Sequence, residues 1–144
     1  MERVIFVEER KDLADLLNYA KVFYLATADE DGTPHVRPFG AVVRHDGGIW
    51  FCTGKGKAVH EQLVKNAKVE LVAMVPNLGG PYWVRAKGTV ALEDNAGARE
   101  AMLEFHPNLR EMYADKMDKL LMLHFVCEAN LHDIGGQMVE ALKV

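Results

Sequence analysis

Between Arg10 and Ala20 the apolar residues Leu13, Leu16, Leu17 and Ala20 fall at i, i+3, i+4 and i+7, which predicts a helix with one apolar stripe. The pattern then changes. Residues Val22 to Ala28 are rich in β-branched and aromatic types, and Asp29-Glu30-Asp31-Gly32-Thr33-Pro34 gathers turn formers. Apolar residues resume from His35 to His45, so a hairpin is expected. Asp46-Gly47-Gly48 is a second turn ahead of Ile49 to Thr53, which would make the 35–45 strand common to two hairpins. After Gly54-Lys55-Gly56, Val59 and Leu63 stand four apart and Asn66 can close a short helix over 57–65. Alternation returns in Val69 to Val75, and the loop Pro76 to Pro81 precedes a long strand, Tyr82 to Leu92. Asp94 is placed to cap a helix carrying Ala98, Ala101, Met102 and Phe105. His106-Pro107 ends that helix, and a last strand runs from Leu120 to Leu131.

This order predicts a mainly β protein with peripheral helices. Six antiparallel strands would form a small closed or nearly closed barrel, with a helical insertion over 94–119. No repeat or linker divides the 144 residues, so 1–144 reads as a single domain. Seventeen Lys and Arg against 21 Asp and Glu give a net charge of −4, the wrong sign for a general nucleic-acid binder. The apolar run Val4 to Val7 is too short for a signal peptide and is followed at once by charge, so a cytoplasmic location is expected. Nothing approaches the roughly 20 apolar residues of a membrane span, which removes a membrane partner. Cys52 and Cys127 make no CxxC pair and are expected to be buried apolar thiols. The six histidines show no HExxH spacing, so no metal centre is expected.

Two features point to chemistry. Phe51-Cys52-Thr53-Gly54-Lys55-Gly56-Lys57 runs from a strand end through a glycine-rich turn to a helix start. Free backbone N–H groups and the helix dipole attract an anion at such a point, and Lys55 and Lys57 add charge, so phosphate is the natural ligand. The stretch is not a Walker A loop, because Ala58 stands where Ser or Thr would hold magnesium, and Val59 breaks GxGxxG. A solvated basic turn is the simpler alternative for this motif alone. The second feature is Arg37-Pro38. Proline cannot donate to a β ladder and so marks an edge, a bulge or an opening. Arg37 shares a face with His35 and Phe39, where it could grip a phosphate or carboxylate through two bonds or make a surface ion pair.

The ordered set His35-Val36-Arg37-Pro38, Gly48 to Thr53, Lys57 and Asn66-Ala67-Lys68-Val69-Glu70-Leu71 resembles the pyridoxamine 5′-phosphate oxidase-like flavoproteins over roughly 22–92. The resemblance implies an FMN-binding split β-barrel. It implies that Arg37 lies near the flavin phosphate and ribityl chain, and that the backbone of Pro38, Phe39, Gly40, Ala41 and Val42 runs beside the isoalloxazine. By the same resemblance Cys52 and Thr53 stand where an aromatic-threonine pair has its threonine on the flavin, and Lys57 where the phosphate-binding lysine stands. Trp83 falls where the oxidase has a glutamine from the other subunit. The chain departs from the true oxidase in a shorter loop before the helix, with Gly56-Lys57 for an Arg-Lys pair. It also lacks the Arg-x-His substrate segment in 135–144.

The resemblance therefore implies an FMN-dependent oxidoreductase-like protein other than the oxidase itself, a homodimer with flavin sites at its interface, acting with a small-molecule substrate or electron donor. A C2 interface would also cover apolar surface that one barrel interior cannot hide. Two alternatives stay open. One is a haem-binding or haem-degrading protein of the same fold, with His124 or His35 as axial ligand. The other is a non-catalytic flavin or deazaflavin binder.

Overall fold

The computed structural model describes residues 12–75 and 82–144. The Val4 to Val7 run, the expected first turn of the opening helix at Arg10-Lys11 and the loop 76–81 lie outside the described residues. The opening helix, α1 (Leu13–Ala20), is capped by Asp12, whose side chain accepts from the Asp15 amide, and buries Leu13, Ala14, Leu16 and Leu17. The remaining elements are β1 (Phe23–Ala28), β2 (Pro34–Phe39), β3 (Val42–His45), β4 (Gly48–Gly54), α2 (Ala58–Lys65), β5 (Lys68–Val75) and β6 (Tyr82–Leu92). Then follow α3 (Ala96–Phe105), α4 (Asn108–Met112), a 3₁₀ turn (Met117–Lys119), β7 (Leu120–Asp133) and β8 (Met138–Leu142).

The strands form one sheet of eight, in the order β2-β1-β5-β6-β7-β4-β3, with β8 also on β7. Every pairing between these strands is antiparallel, and an isolated parallel bridge joins Asp12 to Lys143. Two of the strands are additions to the expected six. The single strand expected over 35–45 is two strands, which pair with β1 and β4 respectively and so form the two ends of the sheet. The break falls at Gly40-Ala41, just past Pro38, whose missing N–H suits an end strand. Only those two residues separate β2 from β3, so the sheet must curl until its ends meet. Among the described residues no ladder joins them, and the sheet is curled without a closed ring of hydrogen bonds.

The second addition, β8, follows from the length of β7. Leu120–Phe125 of β7 take β4 on one edge, and farther along the same edge Ala129–His132 take β8. Residues 138–142, Met-Val-Glu-Ala-Leu, are mostly apolar but few and without strict alternation, and only Leu142 is buried, so the segment does not announce a strand. The β6–β7 ladder runs for eleven pairs, and at Gly88 a Cβ would meet the Val126 carbonyl at 1.9 Å. Glycine is required there by the close approach of the two backbones.

Packing divides into two cores, and β4 separates them. Ile49 and Phe51 face the curled interior with Phe23, Leu25, Phe39, Phe125 and the apolar faces of α1 and α2. Trp50 and Cys52 face outward into a second core, where Ala98, Met102, Leu103, Leu109 and Tyr113 of the insertion cover β3, β4 and β7. Strict alternation along one strand thus serves two layers. The insertion helix is capped by Asn95, which accepts from the Ala98 amide at 2.9 Å. Asp94, the expected cap, instead faces Arg99 at 3.4 Å. The buried stripe is Ala98, Met102 and Leu103, while Phe105, expected on that stripe, is exposed.

Candidate functional site

At the seam between the two cores lies a cleft of about 390 Å³. Its floor is the β2–β3 junction, Arg37, Pro38, Phe39, Gly40 and Ala41. One side is Cys52 and Thr53 at the end of β4, with Lys57 and Val59 at the start of α2. The other side is His106, Asn108, Leu109, Met112 and Tyr113 of the insertion. Most of the residues expected to hold a ligand are therefore brought together. Val42 is buried just beyond the floor, Lys55 is exposed on the outer side of its turn, and Trp83 lies elsewhere.

The turn differs in one respect from the sequence expectation of free N–H groups over 54–57. The Lys55 amide donates to the Lys119 carbonyl at 2.8 Å and the Lys57 amide to the Gly54 carbonyl at 3.2 Å. The Gly56 amide donates to His60 Nδ1 at 3.0 Å. The available donors are instead those of the α2 N-terminus, where Lys57 occupies the cap position without a side-chain capping bond. The Lys57 ammonium has no ion pair among the described residues, and α2 directs its positive end to the same place.

Arg37 is only partly available. Its Nη1 donates to Thr27 Oγ1 at 2.9 Å and to the Leu25 carbonyl at 3.2 Å. Its Nη2 donates to Gln62 Oε1, which also accepts from Thr27 Oγ1 at 2.7 Å. The guanidinium thus ties β2 to β1 and α2 before it meets any ligand, and burial lowers its pKa from the ordinary value. Two further groups line the cleft that the sequence did not assign to a ligand site. His106 Nε2 stands 3.0 Å from the Val42 carbonyl oxygen and 3.3 Å from its amide nitrogen, so the insertion is pinned to β3 in either tautomer. Tyr113 closes the wall opposite Lys57, and burial, then the neighbouring Cys52, raises its pKa. His106 was expected only to end the insertion helix and Tyr113 lies beyond its apolar stripe, which in any case does not say what the helix covers.

Cys52 is buried in the wall, and burial pushes its thiol up to about 11 against the opposing influence of Lys57 and Arg99. Cys127 is half-buried, short of the full burial expected, and is pushed to about 12 by burial and Glu128. Neither is a thiolate near neutral pH.

A second depression, of about 590 Å³, lies across the sheet on β1, β2, β5 and β6. Tyr24, Val36, Val72, Met74 and Trp83 line it. Trp83 stacks on His132 at 4.5 Å, donates from Nε1 to the Asp133 carbonyl at 2.8 Å and lies beneath Arg85 at 4.9 Å. Arg85 is paired with Glu70 at 3.2 Å. The depression is thus largely apolar, with its charges at one side.

The sequence model described as pyridoxamine 5′-phosphate oxidase matches residues 10–126. The chain belongs to the pyridoxamine 5′-phosphate oxidase family. The cleft, the β2–β3 junction and the whole insertion wall fall inside that match. No curated protein matches the sequence significantly. A NimC/NimA family protein from Clostridium acetobutylicum is 32% identical, with 90% of each chain covered and a TM-score of 0.77. A protein from the same organism related to general stress protein 26, described as of the pyridoxinephosphate oxidase family, is 19% identical. It covers 100% of this chain and 97% of its own, with a TM-score of 0.70. The haem storage protein HutZ from Vibrio cholerae shares the fold at 14% identity, covering 85% of this chain and 92% of its own, with a TM-score of 0.66. The fold is thus shared with a protein described as a haem storage protein. No helix among the described residues of this family member is long and apolar enough to cross a membrane.

Proposed function

We propose that the cleft binds FMN and that the protein is a flavin-dependent oxidoreductase acting on a small molecule. The observation that carries this reading is the Lys57 ammonium, without an ion pair among the described residues, at the N-terminus of α2, on a cleft whose floor includes the stretch 38–41. A phosphate monoester satisfies the lysine and the first amides of the helix, with Lys55 adding charge from outside the turn. Pro38, Phe39, Gly40 and Ala41, ahead of Val42, would hold the planar ring, with Cys52 and Thr53 beside it and Arg37 near the chain that joins ring to phosphate. Bound flavin would supply the hydride or electron chemistry. The protein's own residues hold the phosphate, orient the ring and keep water from one side of it.

Haem fits the same residues less well. His124, one expected axial ligand, stacks on Trp50 at 4.4 Å and pairs with Glu93 at 2.8 Å. His35 bonds Asp29 at 2.8 Å. In the cleft His106 already uses Nε2 on Val42.

Dimerisation belongs to the same reading. The apolar depression beside Trp83 exposes Val36, Tyr24, Val72 and Met74, surface that a second copy would cover, with Trp83 closing the flavin site of the partner. The absorbance spectrum of the purified protein tests the cofactor: two broad flavin bands are expected, and one intense Soret band would replace the reading with haem. Lys57→Ala should weaken FMN by about 1.5–3 kcal/mol and riboflavin hardly at all. Equal loss for both ligands would remove the phosphate from Lys57.

A further inference from the structure

The insertion does more than cover β4. Tyr113 is only 8% exposed, yet its hydroxyl makes no hydrogen bond among the described residues and its ring lines the cleft. The ring is held by packing while the hydroxyl opens onto the cleft, so it is placed to donate to a ligand atom there. Gly54 fixes where that atom would be. A Cβ built on Gly54 would stand 3.1 Å from Tyr113 Oη and 3.3 Å from Lys57 Cε, so the two side chains converge over one backbone position that carries no side chain. Thr53, the residue before it, is 7% exposed, and its hydroxyl also has no bond among the described residues.

We propose that Tyr113 is a ligand-binding residue supplied by the helical insertion, its hydroxyl donating to the same phosphate oxygens that Lys57 attracts. This rests on the FMN reading above and adds a third wall to the site. The ammonium offers the phenol proton no acceptor, but both groups can donate to an anionic oxygen lying between them. The raised pKa of Tyr113 agrees with this role, because a phenol that keeps its proton is the form that donates to an anion. His106 contributes by positioning: its bond to Val42 anchors the end of α3 and hence the α4 segment that carries Leu109 and, just beyond, Tyr113. The insertion would then help set the preference for a phosphorylated flavin over its dephosphorylated form.

The test is titration of FMN, riboflavin and inorganic phosphate into the full-length protein and into Tyr113→Phe. The variant keeps the ring packed against Leu109 and Met102, so its melting temperature should stay close to the parent's. FMN affinity should fall about tenfold, riboflavin affinity less than twofold, and competition by inorganic phosphate should weaken in step with FMN. A second readout follows the phenol itself: FMN binding should push the tyrosinate transition of Tyr113 to higher pH, identified by its loss in Tyr113→Phe. Gly54→Ala, which crowds both side chains, should also cost FMN more than riboflavin. Unchanged FMN affinity in Tyr113→Phe, or an equal loss for FMN and riboflavin, would overturn the proposal. A parent protein that takes up no flavin would instead overturn the FMN reading, so the two failures are told apart.

Discussion

Across the sheet from each other lie two concavities made of opposite materials. In the cleft, Lys57, Thr53 and Tyr113 carry polar groups that no described residue satisfies, over an apolar floor. Around Trp83, Nε1 meets the Asp133 carbonyl and Arg85 meets Glu70, and the stacked His132 keeps a buried Nε2 without a partner among the described residues, while Val36, Tyr24, Val72 and Met74 leave apolar surface uncovered. Unsatisfied donors beside a helix N-terminus call for a small anion. Uncovered apolar area with its charges at the side calls for another protein surface. Burial alone therefore does not locate a ligand site; several donors that open together onto one cleft do, whereas the single unpaired His132 Nε2 sits among apolar surface.

The largest effect should come from placing charge on the apolar face. Val72 and Met74 both point outward from β5. Val72→Glu combined with Met74→Glu should raise the dimer dissociation constant by about a hundredfold or more, since like charges would meet across a two-fold axis. The monomer fold should survive because neither side chain is in the core. Sedimentation over a dilution series checks this, and FMN titration of the resulting monomer sharpens it. A flavin site shared with the partner's copy of Trp83 must lose affinity when the dimer is lost, and FMN must in turn favour the dimer in the parent. A monomer that keeps full FMN affinity would assign the whole site to one chain and leave Trp83 as an interface residue only.

A smaller effect separates ligand binding from support within the cleft itself. Arg37 holds Thr27, Gln62 and the Leu25 carbonyl, whereas Lys57 holds no described group. Arg37→Ala should therefore lower folding stability by about 1.5–3 kcal/mol by stranding part of a polar network. Arg37→Lys should recover only a fraction, because a single ammonium cannot span three acceptors on two elements. Urea unfolding of the two variants beside Lys57→Ala gives the contrast: stability changes in the arginine variants, ligand affinity in the lysine variant. Equal stability losses at Arg37 and Lys57 would erase the division.

Much of the first concavity was legible in the sequence because its elements are close along the chain. Arg37 to Ala41, Cys52, Thr53 and Lys57 lie within about twenty residues, and the strand-turn-helix pattern that joins them has its own local signals. Two things were hidden there. Whether an amide in the Gly54–Lys57 turn is free depends on Lys119 and His60, neither of which the turn's own residues reveal. The wall formed by His106 and Tyr113 depends on where an amphipathic helix docks, which its periodicity leaves open. The 35–45 stretch shows the same limit: its apolar run is continuous, and only the pairing of its halves with different strands cuts it at Gly40-Ala41. The apolar face was harder still, since Tyr24, Val36, Val72 and Met74 come from three strands, and alternation in each reads equally well as an ordinary outer face.

The smallest expected effect concerns the two thiols, Cys52 in the cleft wall and Cys127 on β7. Burial is the main reason both are held above the usual thiol value, Cys52 at about 11 and Cys127 at about 12. A raised folded-state pKa means that the unfolded chain gives up its thiol protons first. The stability this represents is complete below the unfolded thiol pKa near 9 and is lost as pH rises from there toward 11 for Cys52 and 12 for Cys127. Between pH 9 and 10 the slope attributable to one such thiol is at most about 1.4 kcal/mol per pH unit. Cys52→Ala should flatten the fall in stability over this window by up to that amount and leave the Cys127 share in place. The comparison is of slopes, so the packing lost with the sulfur, which is the same at each pH, drops out. Urea unfolding at pH 8, 9 and 10 reads it. At neutral pH the same variant should retain its flavin and any reductase activity, because a protonated thiol in the wall is a packing group. Loss of activity with the flavin still bound would make Cys52 a participant in the chemistry, and the cleft wall would then be reactive where it is here only polar.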